Sequence, residues 1–256
     1  MTAAPDLNFR SALLAGQPLF GSFIKTPGAC AIEILGEVGL DFVVVDAEHA
    51  PWDRGDIDHA ILAAKSQCLP ALVRVESKAH ILTALDCGAS GVMVPHISSA
   101  QIARDAVAAC RYRAGMRGFS NSPRAGRYGG LGLADHVQNQ DAHTTVIAML
   151  EDPQALTEID AIAQVDGIDA FFLGRGDLTV ALGESSADAP RVRAAIETFV
   201  HAIQKVKKPL CAFVGKTAEI PALQSMGITT FIVSSDQGLM RQAATSELDK
   251  FRGLLK

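Results

Sequence analysis

The chain has 256 residues, 48% apolar and 20% charged, enough for one large core of ordinary globular composition. A formal charge of −5 lacks the basic surplus with which nucleic-acid binders meet phosphates, and no apolar run approaches the ~20 residues of a membrane span. Five scattered cysteines, odd in number and without a C-x-x-C pair, read as reduced thiols in the cytoplasm and speak against a thiolate zinc site. Residues 1–8 carry neither the basic segment nor the apolar stretch of a signal peptide.

Short apolar runs then alternate with amphipathic segments. Residues 7–15 predict a short N-terminal helix closed by Gly16, and 19–24 a first strand broken by Pro27-Gly28. Helical spacing over 29–38 ends at Gly39, a residue suited to the C-cap. Phe42-Val43-Val44-Val45 reads as a second strand, buried on both faces, and runs directly into Asp46, Glu48 and His49. Asp53 is placed to cap a helix to about residue 67, and 70–73 is a third strand ending at Arg74. Ser77 is expected to cap a helix through 87. Residues 91–94 form the fourth strand, and Ser99 is expected to cap a helix to about 111. Residues 112–133 change texture, with six glycines, several arginines and no long periodic segment, the mark of a functional or mobile loop. A short helix over 135–141, a fifth strand over 145–150 ending at Glu151, and a helix opened by Pro153 come next. The sixth strand, 170–173, meets Gly174-Arg175-Gly176-Asp177, whose glycines allow a ligand close to the backbone or simply make a tight turn. A long helix over 190–207, a strand over 210–214, a helix over 217–226, a strand over 229–233 and a helix over 237–254 complete the chain.

Eight strand–helix units predict one (β/α)8 barrel domain over residues 1–256, class α/β with a short N-terminal helix. An open doubly wound sheet is the alternative, and the absence of G-x-G-x-x-G at a strand-to-helix turn counts against it. In a barrel the C-terminal strand ends share one mouth, so Asp46, Glu48, His49, Arg74, Glu151 and Asp177 meet there although far apart in sequence. Singly each serves as a cap, a turn residue or an ion-pair partner; together they suggest a site. Two acids from neighbouring strands, without paired His or Cys, suit a hard divalent cation that keeps water in its shell, magnesium or manganese rather than zinc. A 2-oxo acid could chelate such a cation, which would stabilise the enolate left by proton loss at the adjacent carbon. An arginine would share that charge and a histidine move the proton.

With those residues placed, the chain resembles the HpcH/HpaI aldolase family, the class II pyruvate aldolases, along essentially its whole length. The matching stretches are Asp46-Ala-Glu-His49, Val73-Arg74, Leu85-Asp86-Cys-Gly88 and Gly91-Val-Met-Val-Pro95, then Arg117-Gly118, Leu150-Glu151 and Gly174-Arg-Gly-Asp177-Leu178. The resemblance implies that Glu151 and Asp177 hold a divalent cation (Mg2+, Mn2+ or Co2+), completed by substrate and water. It implies His49 as base, Arg74 as the residue stabilising the oxyanion, and Asp86 as the acid that pairs with the histidine. Position alone reads Asp86 as a solvated helix acid. The backbone around Gly174 and Gly176 corresponds to a substrate contact, and family members form homohexamers with active sites near subunit interfaces. Two departures stand out: Met149 replaces a substrate-contacting glutamine, and Gly174-Arg175-Gly176-Asp177 replaces Gly-Pro-x-Asp. Both bear on donor and acceptor choice, so hydroxypyruvate stands beside pyruvate as donor.

The expected activity is therefore reversible condensation of pyruvate or hydroxypyruvate with an aldehyde to a hydroxylated 2-oxo acid. The expected partners are those small molecules and other copies of the chain, with no nucleic acid and no membrane. Asp46 and Glu48 are expected to orient water or the arginine, Arg124 to reach an acceptor carboxylate or phosphate, and Phe213 to limit acceptor size. The rivals are a Schiff-base aldolase using Lys25, a citrate-like synthase, an acyl-CoA lyase, and a barrel that binds metal and 2-oxo acid without turnover.

Overall fold

The computed structural model describes residues 9–255. Its strands are β1 (Leu19–Ile24), β2 (Phe42–Asp46), β3 (Ala71–Arg74), β4 (Gly91–Val94), β5 (Thr145–Leu150), β6 (Ala170–Leu173), β7 (Leu210–Val214) and β8 (Ile228–Ser235). All pair in parallel and close in sequence order, β1 against β8, into an eight-stranded barrel. The helices are α1 (Phe9–Leu14), α2 (Cys30–Val38), α3 (Arg54–Ser66), α4 (Ile81–Asp86), α5 (Ala100–Cys110), α6 (Leu133–His143), α7 (Ala155–Ala163), α8 (Arg175–Ala181), α9 (Pro190–Lys205), α10 (Ile220–Ser225) and α11 (Asp236–Leu254). This is the (β/α)8 architecture expected from the sequence. Positions 7 and 8 of the expected first helix lie outside the described residues.

Side-chain alternation along each strand explains where the site sits. One buried cluster fills the lumen with Phe42 and Val44 of β2, Leu72 of β3, Ile147 and Met149 of β5, Phe172 of β6 and Cys211 of β7. The intervening residues, Val43, Val45, Val73, Ala148 and Phe171 among them, pack in a second cluster against the helices. Continuing the lumen-facing parity by one step reaches Asp46, Arg74, Glu151, Gly174 and Phe213. The apolar lumen therefore ends in a layer of polar groups at the C-terminal mouth. Gly21 serves this packing: an added Cβ would lie 2.5 Å from the Phe42 ring.

Two local expectations need correction. Ser77 opens a 3-10 turn over Lys78–His80 and makes no side-chain cap; its hydroxyl lies 3.1 Å from His80 Nδ1 instead. Gly174-Arg175-Gly176-Asp177 is not a free-standing turn but the start of α8, with Gly174 at the N-cap. The arginine-rich loop contains a 3-10 segment, Arg124–Gly129, in which Arg127 and Tyr128 both take positive φ, near +53° and +54°.

Candidate active site

Asp46 ends β2 with no exposed surface, and Arg74 ends β3 beside it. Arg74 donates from Nε to Asp46 Oδ1 at 2.8 Å and from Nη2 to Oδ2 at 2.7 Å, a bidentate pair. Lys25 Nζ adds an ion pair at 3.0 Å, and the His49 amide donates to Oδ1 at 3.2 Å. Burial alone would raise the Asp46 carboxyl, but the hydrogen bonds and charge of Arg74, with Lys25 and the His49 amide, hold it below the usual carboxylate range. Asp46 thus holds the Arg74 guanidinium through two hydrogen bonds. Among the described residues Arg74 Nη1 has no protein partner, and the arginine lines the cleft over the mouth.

A second acidic group lies beside this pair. Glu48 Oε2 is 3.3 Å from Arg74 Nε and 3.5 Å from His49 Nε2, and the His49 side chain is half exposed. Glu151 is 2% exposed; its Oε1 accepts from the His96 amide at 2.8 Å. Burial pushes the Glu151 carboxyl up, the His96 amide and ring oppose this, and the charges of Glu48 and Asp177 push it further. Glu48 is likewise raised, by burial first and also by Asp46 and Asp177, against Arg74 and His96. Asp177, at the third position of α8, is exposed, and among the described residues it has no hydrogen bond or ion pair. Gly174 is required here: a Cβ would lie 2.5 Å from Glu151 Cβ and 2.7 Å from its Oε2. At Gly176 a Cβ would meet nothing within 4 Å, which leaves space over the backbone.

This donor set fits a hard divalent cation. Carboxylates that raise one another's proton affinity in a half-buried mouth gain when a cation neutralises them. Among the described residues no group of three or more His, Cys, Asp or Glu side chains is arranged to hold a metal ion. Glu151 and Asp177 are the pair that could hold such a cation, with water and substrate completing its shell.

The cleft over the mouth has a volume of about 1030 Å³ and is lined by Phe23, Arg74, Met149, Phe172, Asp177 and Phe213 among others. Phe23 stacks near Phe213 with centroids 6.3 Å apart, and the Arg74 guanidinium carbon lies 4.6 Å above the Phe23 ring. Met149 is buried at the floor. Two expected residues lie elsewhere in the chain. Arg124 pairs with Asp58 at 2.6 Å and is not among the residues lining this cleft. Asp86 is the last residue of α4, which runs away from the mouth, and its ion-pair partner is Arg117 at 3.3 Å. Among the described residues nothing joins Asp86 to His49. Lys25, the Schiff-base candidate, is committed to Asp46.

His96 is the residue that sequence reading passed over. It follows β4, takes a φ of 55°, and brings Nδ1 to 3.2 Å from Asp152 Oδ2 and 3.5 Å from Glu151 Oε1. Burial lowers its basicity, but Glu151, Asp152 and Glu48 outweigh that and raise it. The available signal was positional: it is the first ionisable residue beyond a strand end, as Glu151 is.

Comparison with known proteins agrees with this architecture. A family model described as HpcH/HpaI aldolase/citrate lyase matches residues 19–243. The chain is 31% identical over 248 residues to a 5-keto-4-deoxy-D-glucarate aldolase of Shigella dysenteriae serotype 1 (strain Sd197), covering 95% of this chain and 96% of that protein. An HpcH/HpaI aldolase/citrate lyase family protein from Burkholderia cenocepacia J2315 superposes with a TM-score of 0.90 at 28% identity, over 95% and 98% of the two chains. The citrate synthase SbnG gives a TM-score of 0.86 at 29% identity, over 95% and 97%. With the family model spanning almost the whole barrel and the relatives matched end to end, this chain belongs to the HpcH/HpaI aldolase/citrate lyase family.

Proposed function

We propose that the protein is a class II aldolase, a carbon–carbon lyase that reversibly joins pyruvate or hydroxypyruvate to an aldehyde. One observation carries this reading: a carboxylate pair suited to a divalent cation shares the mouth with an uncommitted arginine nitrogen and a half-exposed histidine. A cation held by Glu151 and Asp177 would be chelated by the 2-oxo acid and would polarise its carbonyl. His49 takes a proton from the carbon next to that carbonyl, and Arg74 Nη1 shares the negative charge that moves onto the oxygen. The nucleophilic carbon then attacks the aldehyde, whose oxygen takes up a proton; cleavage is the reverse. The open backbone at Gly176 gives the substrate carboxylate room, and Phe23 and Phe213 wall the acceptor side. The relatives' name denotes a keto-deoxy sugar diacid, which supports an acceptor that is itself a small polar aldehyde.

The SbnG match favours a citrate-like synthase as the second reading. In either case Glu48 is the one acidic partner of the His49 ring among the described residues, so pairing with Asp86 would call on the Asp86 of a neighbouring copy. A homo-oligomer also accounts for α11, whose residues are exposed from Met240 onward. Dialysis against a chelator should abolish cleavage, and Mg2+, Mn2+ or Co2+ should restore it. Full activity of the metal-free protein would contradict the reading. Product formation across an aldehyde panel with each donor, beside a citrate assay, separates the two activities.

A further inference from the structure

We propose that Arg175 is a positioning residue for Asp177, acting through a clamp onto the end of β7. The inference rests on the assignment of Glu151 and Asp177 to a divalent cation. Arg175 is the first residue of α8 and Asp177 the third. On one side the Gly174 amide donates to Leu150 O at 3.0 Å, which fixes the start of α8 against β5. On the other, Arg175 Nη2 donates to Phe213 O at 2.9 Å and to Glu219 Oε2 at 2.6 Å. Glu219 is held in turn, because its Oε1 accepts from the Lys216 amide at 3.1 Å. The Thr179 hydroxyl donates to Arg175 O at 2.6 Å and Leu178 is buried, so the short helix is anchored along its inner face.

The clamp matters because α8 has seven residues and little stability of its own. Asp177 has no side-chain partner among the described residues, so the backbone of α8 alone sets its direction. A proline at the first helical position would fix that backbone covalently through its locked φ. Arg175 achieves the fixation by reaching across to the next strand end. It thereby joins the cation-holding side of the mouth to the Phe213 wall.

Mn2+ binding to the full-length protein, followed by the electron paramagnetic resonance of the free ion, tests this. Simple electrostatics and the clamp differ in sign. Removing a cation beside a cation site tightens Mn2+ binding by Coulomb's law. Releasing the clamp weakens it, by about tenfold for a supporting contact of this kind. Arg175→Met should weaken binding about tenfold; Glu219→Gln, which leaves the Arg175 bond to Phe213 O in place, should weaken it by no more than that, and the double variant should match Arg175→Met alone. Arg175→Pro should restore affinity and make Glu219→Gln silent. Unchanged or tighter binding in Arg175→Met overturns the clamp while leaving the cation assignment standing. If Arg175→Met does not fold, a roughly tenfold effect of Glu219→Gln in the Arg175→Pro background overturns it equally. No Mn2+ uptake by the wild type would remove the cation assignment and the clamp with it.

Discussion

Asp46 has no exposed surface, yet it carries charge, because Arg74, Lys25 and the His49 amide surround it. Glu48 and Glu151, a few ångströms further up the mouth, are pushed the other way. The two directions give opposite pH signs. An acid whose folded pKa is raised is destabilising while charged, so metal-free protein should gain thermal stability as pH falls from neutral toward about 5. An acid whose folded pKa is depressed contributes stability that is lost as pH falls through it, so stability should drop again below about 4 as Asp46 protonates. Added Mn2+ should raise the melting temperature at neutral pH and flatten the acid-side gain. A metal-free melting curve that only falls from pH 7 downward would contradict this assignment of charges. Asp46, Arg74 and Glu151 were legible because each continues the parity of an apolar strand. His96 was not, because its approach to Glu151 depends on a positive φ that the sequence does not announce.

The elements divide by how local their causes are. Strands β1, β4, β5, β6 and β7 fall where the apolar runs place them, since a β/α barrel buries both strand faces and leaves little ambiguity of extent. Gly39 takes the left-handed C-cap of α2 with φ 91°, and Asp53 and Ser99 accept from Asp56 N and Ile102 N. These are contacts between residues three or four apart. Ser77 has the same composition cue as Ser99 but turns its hydroxyl to His80. Ser99→Ala should therefore cost about 1 kcal/mol in urea unfolding, and Ser77→Ala less than about 0.5 kcal/mol. Equal losses would show that the two serines do the same work. Helix α8 escaped sequence reading for the converse reason: it is seven residues long with a glycine at its N-cap and another at its second position, and the contacts that hold it reach Phe213 and Glu219.

At the scale of the molecule, the placement of Asp86 and the shape of α11 point the same way. Asp86 sits at the end of α4, paired with Arg117, and among the described residues no contact joins it to His49 of its own chain. From Met240 to Leu255 every residue is exposed, and Ala244, Leu248, Phe251 and Leu255 fall at four-, three- and four-residue steps. That apolar seam, with Phe251 62% exposed, suits burial against another helix or barrel. Leu248→Ser with Phe251→Ser should shift the protein to smaller species in light scattering, with turnover falling alongside. An unchanged mass would leave the seam without that role. At the mouth itself, the proposed role of His49 is to move a proton at the carbon beside a chelated carbonyl. Exchange of the pyruvate methyl protons in D2O, followed by NMR without any aldehyde, measures this step alone. The metal-loaded wild type should exchange, while the metal-free protein and metal-loaded His49→Ala should be slower by at least about 100-fold. Equal exchange in all three, or none in the metal-loaded wild type, would contradict the account.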